Sequence, residues 1–160
     1  MKKLLSLGAV YWLIAMALLS GSKRSGSQDR DVNAAIRDQF VGAWRLAWLE
    51  EEGTDGNVHR ADCTGMLVYT PDGHMSVQVM YRNAPGGSST VQYAQGGYEA
   101  SFGQYEIDEH AHTFTFHVEG ALVRTLIGKD LRRLYEFADK QLIVKSFNPS
   151  EHWRVAWERY

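Results

Sequence analysis

His117, Glu119, Gln104 and Glu106 are the residues of this chain best suited by type to acid–base chemistry. A histidine or carboxylate exchanges protons usefully at neutral pH when a dry pocket draws its pKa toward neutrality. Arg133 is the second candidate: it falls in register with Tyr135 and Phe137, and a guanidinium placed among apolar side chains needs an anion. A ligand carboxylate or a glutamate would satisfy it through a bidentate bond, unless the register is off by one, so that Arg132 takes its place, or the residue stands in water. His110 and His112 put two imidazoles on one side of an extended turn, but no third ligand stands at a matching spacing, so no metal is assigned, and Asp108, Glu109 and His110 read as turn residues. Cys63 is the only cysteine, which removes any internal disulfide and reads as a buried spectator thiol. Gly-rich phosphate loops, a Gly-x-Ser-x-Gly elbow and a Cys-x-x-Cys pair are missing from the sequence, so no cofactor is expected.

The elements that must position these residues are mostly strands. A length of 160 residues is one domain, and 44% hydrophobic with 12% aromatic residues fills a real core. The net charge of −2 comes with no basic stripe, which argues against nucleic acid as a partner. Met1 to Ser22 carries two early lysines, an apolar run from Leu4 to Leu19 and then Ser20-Gly21-Ser22, the order of a secretory signal cut near Ala17 or Ser22. The competing reading is an uncleaved anchor flanked by Tyr11, Trp12 and Lys23-Arg24, although the run is short of the roughly 20 residues a span needs. The expected location is therefore secreted, periplasmic or cell-envelope, with membrane contact only through that segment if it is kept. Residues 23–30 are a polar linker, and residues 31–160 are the folded domain.

Val32, Ala35, Ile36 and Phe40 recur at helical spacing behind Asp31 as N-cap, and Gly42 ends this short helix. In the strand that follows, Trp44, Leu46 and Trp48 alternate with Arg45, Ala47 and Leu49. Gly65 to Tyr81 is a hairpin about Thr70-Pro71-Asp72-Gly73, whose register puts Leu67 and Tyr69 on one face with Met75, Val77 and Val79. Asn83 to Gly97 is a Gly- and Ser-rich interruption, a lid or a short helix. A second hairpin turns at Asp108 to Ala111; with Ile107 facing His112, Tyr105 meets Phe114 and Gly103 meets Phe116. Its other face carries Gln104, Glu106, Thr113, Thr115, His117 and Glu119. A third hairpin about Asp139-Lys140 joins Tyr135 and Phe137 to Leu142 and Val144, and His152 to Arg159 is a last strand that alternates Trp153, Val155 and Trp157 with Arg154, Ala156 and Glu158. About eight strands in sequential hairpins make an all-β, up-and-down antiparallel barrel with a short N-terminal helix.

Taken in order, Phe40-Val41-Gly42-Ala43-Trp44-Arg45-Leu46, Leu67 to Ser76, Phe102-Gly103-Gln104-Tyr105-Glu106-Ile107-Asp108, His117-Val118-Glu119-Gly120 and Trp157-Glu158-Arg159 resemble the lipocalin-like domain family of bacteria and fungi. The resemblance implies a calycin-type barrel with Gly42 and Trp44 at its closed end. It also implies a basic residue of the last strand packed over that tryptophan, Arg159 first and Arg154 second. A second histidine common before the His-Val-Glu-Gly motif is Phe116 here, which weakens any His-pair chemistry.

With the apolar faces inward, Tyr69, Met75, Val77, Tyr105, Phe114, Phe116, Arg133 and Tyr135 line a cavity for a small hydrophobic molecule. A barrel filled by its own side chains, serving as an interaction module, is one alternative. Another is a cofactor-free isomerase or cyclase acting on a small hydrophobic metabolite, with His117, Tyr105 and Glu119 moving protons. On the alternation above, His117 faces solvent and is structural; catalysis requires the polar face to be the inner one.

Overall fold

The computed structural model describes residues 35–53, 55–83 and 93–160. The expected signal, linker and N-cap at Asp31 lie outside these residues, as does most of the expected lid. Residues 35–40 form a helix, α1. Nine strands follow: β1 (Gly42–Glu52), β2 (Val58–Arg60), β3 (Cys63–Tyr69), β4 (His74–Tyr81), β5 (Tyr98–Asp108), β6 (Thr113–Ala121), β7 (Asp130–Ala138), β8 (Gln141–Ser146) and β9 (Trp153–Arg159). Each strand from β3 to β9 pairs antiparallel with the next, and β9 returns to β1. The start of β1 pairs with β3 and its end with β2, so β2 and β3 share one edge of β1. The result is a closed antiparallel barrel of eight strands.

The turn chemistry sets the registers. At Thr70 to Gly73 the Thr70 N–H donates to His74 O at 2.8 Å and Gly73 adopts φ 90°, which fixes Tyr69 opposite Met75 and Leu67 opposite Val77. Asp139 and Lys140 both take positive φ, 49° and 66°, the conformation a tight hairpin requires, and Tyr135 pairs with Val144.

Two sequence expectations are corrected. The β5–β6 hairpin pairs Ile107 with Phe114, Tyr105 with Phe116 and Gly103 with Val118, two residues away from the expected register. Asp108 stays in the ladder opposite Thr113, its carboxylate accepts the Ala111 N–H at 3.0 Å, and His112 turns the chain at φ 49°. A slip of two leaves every side chain on its expected face. The second correction is in β1, where the ladder to β9 passes from Leu46–Trp157 to Trp48–Ala156 and leaves Ala47 as an extra residue. This β-bulge reverses the alternation: Trp48 turns outward under the guanidinium groups of Arg60 and Arg154, 5.4 and 5.2 Å from its ring, while Leu49 and Glu51 turn in.

The end of the barrel that holds the turns at 70–73, 109–112 and 139–140 is closed by α1. Phe40 is fully buried, with its ring 4.9 to 6.3 Å from the rings of Tyr69, Tyr105, Phe114, Tyr135 and Phe137. The carbonyls at the end of α1 find donors on the barrel. Trp44 Nε1 donates to Phe40 O at 2.8 Å, and Arg159 donates from Nη1 to Val41 O at 2.6 Å and from Nη2 to Gln39 O at 2.7 Å. The same guanidinium lies 4.2 Å from the Trp44 ring. Gly42, at φ 135°, passes beneath it, where a Cβ would collide with Arg159 Nη1.

Candidate functional site

Above the Phe40 cluster the barrel holds an unfilled cavity of about 90 Å³. Its floor is Tyr69, Met75 and Phe114; its walls are Leu67, Val77, Phe116, Val144, Val155 and Trp157. These residues alternate inward along β3, β4, β6, β8 and β9, so the period-two pattern that builds the sheet also builds the wall. A space of that size suits a slender molecule; a benzene ring occupies engineered cavities of roughly 150 Å³.

At the mouth the lining becomes polar, with Glu51, Tyr81, Glu99, Ser101 and Arg133. Arg133 is buried, with its guanidinium carbon 4.8 Å from the Tyr93 ring and 5.0 Å from the Trp153 ring, and its Nη1 donates to Arg132 O at 3.3 Å. Its neighbour Arg132 points outward over Phe147 and donates to Thr113 Oγ1, so the inward residue of the pair is Arg133. Burial pushes the Glu99 carboxyl up from 4.5 to about 7, against the opposing pull of Arg133. Burial also raises Glu51, partly offset by the Tyr81 hydroxyl, which donates to its Oε2 at 2.9 Å. Tyr81 is raised in turn, by burial first and then by the Glu51 charge.

Six of the expected cavity residues line the space: Tyr69, Met75, Val77, Phe114, Phe116 and Arg133. Tyr105 and Tyr135 do not. Both belong to the Phe40 cluster, where Tyr105 Oη donates to Thr70 O at 3.0 Å and Tyr135 Oη is buried with no partner among the described residues. They occupy the last inward positions before the closed end, which α1 fills.

The structure does not bring His117, Tyr105 and Glu119 together. His117 is on the outer face, with Nδ1 2.7 Å from Asp130 Oδ1 and Nε2 3.8 Å from Glu106 Oε2. Glu119 is exposed and accepts from Gln104 Nε2 at 2.8 Å. Tyr105 lies on the other side of the sheet wall, so no proton relay joins the three. His112, in the β5–β6 turn, lies with its ring 6.0 Å from that of Tyr135.

The mouth residues Glu51, Tyr81, Glu99 and Ser101 were missed. Tyr81 continues the alternation of Met75, Val77 and Val79, and Glu99 and Ser101 share the parity of Tyr105, so three of them carried a signal. Glu51 carried none, because its inward turn depends on the bulge at Ala47.

A closed eight-strand antiparallel barrel, plugged by a helix at one end and open to an apolar cavity at the other, is the architecture of the calycin-type barrels. The family model described as a lipocalin-like domain matches residues 41–159, and the chain belongs to that family. No curated protein matches it. The fold supports a binding role in general.

Proposed function

We propose that this protein binds one small, slender, largely apolar molecule, its apolar part held between β3, β4, β6 and β8 and its polar end at the mouth. The observation that carries this reading is the division of the cavity itself. The inner walls are aliphatic and aromatic, while Glu51, Tyr81, Glu99 and Arg133 gather at one end. A plain packed core has no use for three ionisable groups and a phenol on one buried rim, where each costs desolvation. With the expected export signal in residues 1–22, the reading extends to binding in a secreted, periplasmic or cell-envelope setting.

Native mass spectrometry of the full chain, purified gently from its own host, tests it. A small hydrophobic molecule lost on denaturation is expected. Phe116→Ala, which truncates a buried wall residue, should weaken uptake of an apolar dye and lower stability by about 3 kcal/mol. Repeated empty spectra together with a dye that fails to bind would overturn the reading.

A further inference from the structure

The charges at the mouth bear on what the bound molecule carries at its polar end. Three ionisable groups of ordinary acid or base strength face the space: Glu51 from β1, Glu99 from β5 and Arg133 from β7. Tyr81 from β4 lies within the electrostatic reach of both carboxylates, and Tyr93 stands ahead of β5 against Arg133.

Arg133 is already well accommodated. Two aromatic faces flank its guanidinium, a backbone carbonyl takes one of its hydrogens, and its charge favours the ionised form of Glu99. The carboxylates are less well served. The Glu51 carboxylate receives the neutral Tyr81 hydroxyl, and the Glu99 carboxylate accepts no hydrogen bond from any described residue. When both acids are ionised, two carboxylates against one guanidinium leave an excess negative charge at the rim of an apolar cavity, the cost that raises both carboxyl groups. An anionic ligand would add a third negative charge to that rim. A cation balances it and brings N–H donors to oxygens that lack them.

We propose that the polar end accepted here is a protonated amine, which makes the ligand class a slender primary amine with an apolar tail. The ammonium sits at the rim between Glu51 and Glu99, and the tail runs down the barrel toward Phe114. The proposal rests on the binding function above and sets aside one of the two partners the sequence suggested for Arg133, a ligand carboxylate. Arg133 then favours the ionised form of Glu99 and does not hold the ligand itself.

The test compares hexylamine, hexanol and hexanoate, one chain with three head groups, titrated into the full chain. Trp153 and Trp157, both in the lining, report binding by fluorescence. Hexylamine is expected to bind about tenfold tighter than hexanol, with hexanoate weakest. The advantage of the amine should grow between about pH 6 and pH 8, as Glu99 ionises while the ammonium stays charged. Glu99→Gln should bring hexylamine close to the affinity of hexanol and flatten that pH profile, while an unchanged far-UV circular dichroism spectrum shows that the variant is folded. Glu51→Gln should cost part of the same advantage. Hexanoate binding as well as hexylamine, or an amine preference untouched in Glu99→Gln, overturns the proposal. Failure of all three compounds removes the binding function with it, whereas hexanol binding without any gain for hexylamine removes the amine assignment alone.

Discussion

Glu99 connects the chemistry of single residues to the stability of the fold. Its carboxyl is raised from 4.5 to about 7 by burial, so between those values the folded chain keeps a proton that the unfolded chain releases. The sign follows: Glu99 contributes fully to stability below about pH 4.5 and loses that contribution as pH rises through 7. Urea unfolding over this window should show a downward contribution with rising pH that Glu99→Gln removes; an identical slope in the variant would show that the carboxyl is not buried in this way. Gly42 makes a second prediction. At φ 135° and against Arg159, alanine is strained on both counts, and Gly42→Ala should destabilise by about 2 kcal/mol in the same assay. At this scale the sequence was informative wherever alternation ran unbroken: Arg133 is inward because Tyr135 is, and Trp44 and Arg159 meet as the family resemblance implied. Tyr105 and Tyr135 were misplaced because parity tells which face a side chain takes, but not whether another element already fills that end of the barrel.

Among the elements, α1 and the bulge in β1 do most to shape the cavity. The helix is short and unremarkable in pattern, yet it supplies Phe40, around which five aromatic rings close one end of the barrel. Phe40→Ala should cost about 3 to 4 kcal/mol in denaturant unfolding and open the cavity downward, so that longer alkyl ligands bind better than before. A loss below about 1 kcal/mol would show that the barrel closes without the helix. The hairpins at 70–73 and 139–140 were legible because Gly73 and the tight Asp139-Lys140 turn announce their geometry. The bulge was not: Ala47 has no turn chemistry, and only the pairing of β1 with β9, distant in sequence, reveals the extra residue. That single residue sends Trp48 out between two arginines and brings Glu51 to the mouth.

For the molecule as a whole, the closure of β9 onto β1 joins eight strands in one ring and defines an inside and an outside, while the three-residue β2 is paired with β1 alone among the described residues. The inside is apolar at depth and charged at the rim, and the outside carries the paired His117, Asp130, Gln104 and Glu119. That division parts His117 and Glu119, on the outside, from Tyr105, on the inside, so the three residues of the catalytic alternative share no pocket. The most direct test of binding inside the barrel is a methyl NMR titration of the full chain with hexanol. Saturable shifts are predicted for Leu67, Met75, Val77 and Val144, which line the cavity, with little change at Met66, Val58 and Leu122 on the surface. Shifts confined to the surface methyls, or growing without saturation at every methyl alike, would contradict a binding site within the barrel.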